Sequence, residues 1–198
     1  MAELLQIYKK RFWMEEVMSK VYVFFADGFE EIEALTVVDM LRRVEVETVM
    51  VSIMPNKTVM GAHNIPVLAD GLFADYNYSD GDMLVLPGGM PGTNNLMAHE
   101  GLRKELFAYC DANKYMAAIC AAPSVLGMNG LLRGKQATCY PGFEDKLLDA
   151  QVTKEGVVTD GNIITGKGMG TAIDFAAAII EVLCGEEAAQ KVLKAIQY

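Results

Sequence analysis

A chain of 198 residues, 52% apolar and 22% charged, has the composition of a globular protein with a sizeable core and excludes a disordered one. Its net charge of −9 argues against a nucleic-acid backbone or an anionic membrane surface as the main partner, and no apolar run is long enough to span a bilayer. Four cysteines without paired close spacing (Cys110, Cys120, Cys139, Cys184) and two histidines (His63, His99) form no zinc motif; no metal or other cofactor is expected, and a reduced cytoplasmic setting fits the thiols best.

Residues 1–20 read as a peripheral extension. Lys9, Lys10 and Arg11 are not followed by the apolar core of a secretory signal, while Leu4, Leu5, Ile7, Tyr8, Phe12 and Trp13 suit a short amphipathic helix. Residues 21–198 read as a single domain. Val21–Phe25 is an unbroken apolar run, the pattern of a strand buried on both faces. Ala26-Asp27-Gly28 turns out of it, and the spacing predicts a helix over 29–44 with Phe29, Ala34, Val37, Met40, Leu41 and Val44 on one arc. Glu33 lies in the middle of that arc. A carboxylate facing a core is costly unless it is protonated or bonded. Two readings follow: a structural acid bonded to a backbone N–H or an arginine, or a carboxyl beside a reactive group with its pKa raised by burial. Glu30 shares the arc but sits in the first turn, where acids are favoured. The opposite arc carries Glu31, Thr36, Asp39, Arg42 and Arg43, together with Ile32 and Leu35, two aliphatics that suit a subunit contact or ordinary surface.

Strands are predicted at 47–53, 65–68 and 83–86, with His63 in a loop, where a lone histidine is ordinarily solvated. The third strand runs into Pro87-Gly88-Gly89, whose glycines let backbone N–H groups approach an anion closely, though turn-making alone would select the same residues. A helix over 99–112 places Leu102, Leu106 and Cys110 on a core stripe. Tyr115–Ile119 is the next strand. It ends at Cys120, flanked at two residues' distance by Ala118 and Ala122 and followed by Pro123-Ser124. Small neighbours around a nucleophile on a strand-to-helix turn are the steric signature of a nucleophile elbow, and the exposed N–H groups of the turn would favour thiolate. A buried, inert cysteine is the alternative. A strand over 136–140 follows, then a hairpin of 157–159 and 163–165 around Asp160-Gly161-Asn162. The run Gly166-Lys167-Gly168-Met169-Gly170 lacks the spacing of a dinucleotide or P-loop fingerprint and reads as a tight loop near the site. A helix over 171–183, with Thr171 and Asp174 as a capping box and Gly185 as C-cap, and another over 186–198 close the chain. Alternating strands and helices predict an α/β doubly wound, mostly parallel sheet with helices on both faces, its carboxyl edge gathering Glu33, Gly88-Gly89 and Cys120.

The segments Ala26-Asp27-Gly28-Phe29-Glu30-Glu31-Ile32-Glu33, Leu86-Pro87-Gly88-Gly89, Ala117-Ala118-Ile119-Cys120-Ala121-Ala122-Pro123 and Gly168-Met169-Gly170-Thr171 together resemble the ThiJ/PfpI superfamily, in the branch of the Parkinson's-disease-associated protein deglycase (DJ-one) and its bacterial relatives. The resemblance spans about residues 20–190. It implies a flavodoxin-like, class I glutamine-amidotransferase-like fold, and a homodimer formed partly through the helix carrying Ile32 and Leu35. It also implies an oxidation-sensitive nucleophile at Cys120, a carboxyl partner at Glu33 and backbone donors at Gly89 and Ala121. Tyr140 stands where some members of the branch carry a histidine, and Met169 where many carry proline. Ala121 follows Cys120 where peptidase- and amidase-like relatives place a histidine, which argues against that chemistry. The leading expectation is a glyoxalase or deglycase acting on a small-molecule carbonyl, with Tyr140 and Gly88 as auxiliary candidates. The alternative is an oxidative-stress sensor or chaperone-like protein using the same cysteine.

Overall fold

The computed structural model describes residues 19–198, so the extension expected at the N-terminus, with its candidate amphipathic helix, lies almost wholly outside the described residues. In chain order the elements are β1 (Lys20–Phe25), α1 (Glu31–Arg43), β2 (Glu47–Ser52), β3 (Thr58–Met60), β4 (Pro66–Leu68), β5 (Gly71–Leu72), β6 (Met83–Leu86), α2 (Gly92–Ala98), α3 (Glu100–Asp111), β7 (Tyr115–Ile119), α4 (Pro123–Met128), β8 (Gln136–Ala137), β9 (Gln151–Val152), β10 (Val157–Asp160), β11 (Ile163–Gly166), α5 (Ala172–Cys184) and α6 (Glu186–Ala195).

The unbroken apolar run of β1 has a direct cause. Val21, Val23 and Phe25 point into one core with α1, α5 and α6, while Tyr22, Phe24 and Ala26 point into a second core with α2, α3 and α4. Both faces of the strand are covered, so no alternation with polar residues appears. The main sheet has the order β10-β11-β7-β6-β1-β2-β5, parallel throughout except for the β10–β11 hairpin. This is the expected flavodoxin-like, doubly wound arrangement. The chain builds outward from β1 through β2 to β5, then returns to lay β6 against the other side of β1. That reversal opens a crevice at the carboxyl ends of β1 and β6, where ligands bind in open α/β sheets. Among the described residues no helix is long and apolar enough to cross a membrane.

Three local expectations need correction, and one helix lay outside them. The strand expected over 136–140 stops at Ala137 and pairs only with β9, outside the main sheet. Beyond it the Thr138 N–H donates to Thr165 Oγ1 and the Tyr140 N–H to the Cys120 carbonyl, so other contacts take the groups a ladder would use. On α3 the buried stripe is Leu102, Leu106 and Tyr109, and Cys110 is exposed; Tyr109 wins because its hydroxyl donates to the Tyr78 carbonyl at 2.7 Å. The capping box at Thr171 does not form, since its hydroxyl donates to the Gly168 carbonyl at 2.9 Å; Gly185 does close α5, at φ 89°. Finally, α2 had no clear signal, because Gly92, Thr93 and two asparagines are weak helix formers.

Candidate active site

Three consecutive positions in the sheet, β7, β6 and β1, deliver the residues of the site. Cys120 follows β7 at φ 65°, a left-handed conformation that costs a non-glycine residue about 1–3 kcal/mol. The elbow is held from both sides. The Cys120 N–H donates to the Gly166 carbonyl at 2.9 Å, and its own carbonyl accepts from the Tyr140 N–H at 2.8 Å. Ala118 and Ala122 are fully buried beside it. Pro123 opens α4 directly afterwards, with Ser124 Oγ donating to the Ala121 carbonyl at 2.6 Å.

Glu33, in the first turn of α1, is 0% exposed. Its Oε2 accepts from the Gly88 N–H at 2.9 Å, while Oε1 is buried without a hydrogen-bond partner. A Cβ built on Gly88 would stand 2.5 Å from Cys120 Cβ and 2.6 Å from Glu33 Oε2. Only glycine fits there, and its bare backbone lets the thiol and the acid face one another. Burial pushes the Glu33 carboxyl up to about 7; the thiol and the Gly88 and Met169 N–H groups pull against that, and the charge of Glu30 adds to it. Burial, and then the charge of Glu33, push the Cys120 thiol up to about 12, although the N–H groups of Gly89 and Ala121 donate toward its sulfur. The thiolate expected from the turn dipoles is therefore outweighed: α4 has only 6 residues, and a dry site with a neighbouring acid favours the neutral thiol. Two acids in one dry pocket titrate as a pair. Above the titration of Glu33 near 7 they hold a single proton between them, and a thiolate forms whenever that proton resides on Glu33.

The remaining expected residues converge on the same edge. Gly89 lies at φ 89° against the β1–α1 turn, where the Glu30 N–H donates to the Gly88 carbonyl at 2.9 Å. The Tyr140 ring is 51% exposed. It lies 3.4 Å from where a Cβ on Gly168 would be, and Glu33 Oε1 lies 4.0 Å from that same point. The glycine run after β11 thus forms the far wall of the site.

Two further residues escaped the sequence reading. Glu31, assigned to the outward arc, is 3% exposed, and His63, read as a solvated loop histidine, is its partner. Glu31 Oε1 accepts from the His63 N–H at 2.7 Å, and Oε2 lies 2.8 Å from the ring Nδ1. Burial alone would raise the Glu31 carboxyl, but the bonds from His63 hold it below its ordinary value. The signal was Gly61, where any Cβ would strike the Glu31 side chain. The other histidine, His99, caps α3, its Nδ1 accepting from the Leu102 N–H at 2.9 Å. All four cysteines are free, and Cys139 is buried.

Residues 19–182 match the DJ-1/PfpI family. The chain is 35% identical over 184 residues to Protein DJ-1 homolog B of Arabidopsis thaliana, covering 92% of this chain and 42% of that one. It is also 35% identical over 182 residues to Protein dj-1beta of Drosophila melanogaster, covering 90% and 97%. The chain spans less than half the length of the Arabidopsis relatives it matches. A solved structure of oxidized Toxoplasma gondii DJ-1 is similar with a TM-score of 0.88 at 35% identity, over 91% of this chain and 98% of that one.

Proposed function

The chain belongs to the DJ-1/PfpI family, and from that premise we propose that it is a cysteine-dependent enzyme acting on reactive dicarbonyls, as a glyoxalase or as a deglycase of early glycation adducts. The observation that carries this reading is the buried acid with one unpartnered oxygen beside an elbow cysteine. It supplies a nucleophile and a proton carrier in one place with no histidine between them.

With methylglyoxal, the Cys120 proton passes to Glu33 and the sulfur attacks the aldehyde carbon, forming a C–S bond. The carbonyl electron pair moves onto oxygen, where the Gly89 and Ala121 N–H groups hold it, and Glu33 returns the proton to give a hemithioacetal. The Glu33 carboxylate then takes the C–H proton of that carbon and delivers it to the adjacent carbon. One carbon is oxidised and its neighbour reduced, so no external oxidant is needed. The product is a lactate thioester, which water cleaves to lactate and free thiol. Tyr140, at the mouth, assists by hydrogen bonding to substrate oxygen. Cys120→Ser and Glu33→Gln should each lower conversion of methylglyoxal to lactate by about a hundredfold or more, measured by lactate release; wild-type rates in either variant overturn the reading.

One observation favours a second reading. A carboxyl with its pKa near 7 is protonated often enough to donate a hydrogen bond to an oxidised sulfur, so Cys120 suits a peroxide sensor or stress-responsive chaperone-like protein. Each peroxide would transfer one oxygen to the sulfur and leave as water, giving sulfenate and then sulfinate. Mass spectrometry after mild peroxide should find oxygen gained at Cys120 ahead of Cys110, Cys139 and Cys184; uniform oxidation sinks this reading. Both readings suit a reducing cytoplasm and a homodimer. The dimer would form through α1, where Ile32 is exposed and Leu35 half-buried, and Ile32→Glu should shift the elution volume to that of a monomer.

A further inference from the structure

The entry to α1 carries three acids at 30, 31 and 33, and only Glu33 faces the thiol. Glu30 and Glu31 face the turn of the β3–β4 hairpin, where the His63 ring Nδ1 lies 2.8 Å from Glu31 Oε2 and 3.5 Å from Glu30 Oε2. The backbone sets this placement. The Gly28 N–H donates to the Met60 carbonyl at 2.7 Å, the Ala62 N–H to the Phe29 carbonyl at 2.8 Å, and the Met60 N–H to Asp27 Oδ1 at 2.9 Å. The hairpin is thereby strapped to the turn that launches Glu33.

We propose that His63 is a positioning residue of the Cys120–Glu33 pair, its charge setting the field that Glu30 exerts on Glu33. This rests on the reading of Cys120 and Glu33 as a pair sharing one proton. The groups facing His63 are Glu30 and Glu31 of α1, with Asp27 at the other end of the strap. Those facing Glu33 are Glu30 on its own helix, Cys120 after β7, the Gly88 N–H after β6 and the Met169 N–H after β11. Glu30 makes Glu33 hold its proton more tightly. An imidazolium beside Glu30 opposes that charge, and neutral imidazole leaves it unopposed. The bond to Glu31 and the charge of Glu30 raise the His63 pKa above its ordinary value, so the ring keeps its charge to higher pH than a free imidazole. As pH rises and His63 discharges, Glu33 grips its proton harder. The passage of the pair from two protons to one is therefore pushed to higher pH than it would be beside a permanent cation.

The test reads Cys120 directly, without substrate: the pH dependence of its alkylation by iodoacetamide, followed by peptide mass spectrometry on the full chain. The wild-type profile should show a step near neutral pH. His63→Arg, a permanent cation, should move that step down by roughly half a pH unit, and His63→Gln should move it up by a similar amount. In a Glu30→Gln background the difference between the two His63 variants should shrink by at least about half, since the coupling runs through Glu30. If the step stays put in both variants while melting temperature falls, His63 merely ties down the hairpin and the proposal fails. A wild-type profile with no step removes the proton-sharing pair and the proposal with it. A step that moves as expected in a protein that leaves methylglyoxal untouched upholds the role of His63 and discards the enzyme alone.

Discussion

The two ends of the central sheet handle buried polarity in opposite ways. Near the amino ends of its strands, Tyr22 Oη donates to Asp80 Oδ1, Tyr78 Oη to the Phe73 carbonyl and Tyr109 Oη to the Tyr78 carbonyl, all at 2.7 Å. The Tyr22 and Tyr78 rings meet edge to face at 4.8 Å. Each buried hydroxyl has an acceptor, and the aromatic bodies fill the space around them. At the carboxyl ends, a cysteine sits at a left-handed φ, a glycine has no room for a methyl group, and a carboxyl oxygen is buried without a partner. One end contributes stability; the other holds unsatisfied bonding capacity in place, and only the rest of the fold keeps it there.

The contrast breaks hardest at Gly88. Gly88→Ala puts a carbon between Cys120 Cβ and Glu33 Oε2, and should cost about 1–3 kcal/mol of stability by overpacking while abolishing methylglyoxal turnover; a melt and a lactate assay read both. Glu33→Gln should move the two quantities in opposite directions. A glutamate with a folded pKa of about 7 against an ordinary value of 4.5 binds more protons folded than unfolded between those values. Stability is therefore unpenalised at acid pH, falls as pH rises through this window and stays lower above it. The amide removes that slope, so denaturant titrations should find the variant more stable than wild type by on the order of 2 kcal/mol above neutrality and nearly equal to it near pH 4. At the opposite end, Tyr109→Phe strands the Tyr78 carbonyl and should cost about 1–2 kcal/mol with turnover unchanged. The smallest effect belongs to Cys120→Gly. Relief of the left-handed strain, less the chain entropy glycine adds to the unfolded state, should leave the variant about 1 kcal/mol more stable than wild type and inactive.

These ends also differ in how far the sequence betrayed them. Cys120 between two alanines, the paired glycines after β6 and an acid on an apolar arc were all readable, because each is a local pattern with a steric or desolvation cause. Glu31 was misread because its partner arrives 32 residues later. A helical wheel knows only its own helix, so a buried acid with a distant partner looks like a surface one. Cys110 lost its core place to Tyr109 for a similar reason, a hydroxyl acceptor supplied from another segment. The protonation of Cys120 was misjudged from the turn dipoles alone, since the opposing effects, burial and a neighbouring negative charge, exist only once three strands are assembled.

The bond from the Gly88 N–H to Glu33 spans 55 positions of the chain, and Cys120 arrives later still. Contacts so distant in sequence form only after the loops between them have closed. A nascent or partly folded molecule thus carries a sulfhydryl with no acid beside it, behaving like one in a short peptide. Its labelling rate during refolding becomes a clock for the docking of β6 between β1 and β7, and the chemistry of the site appears only as the last of those strands is seated.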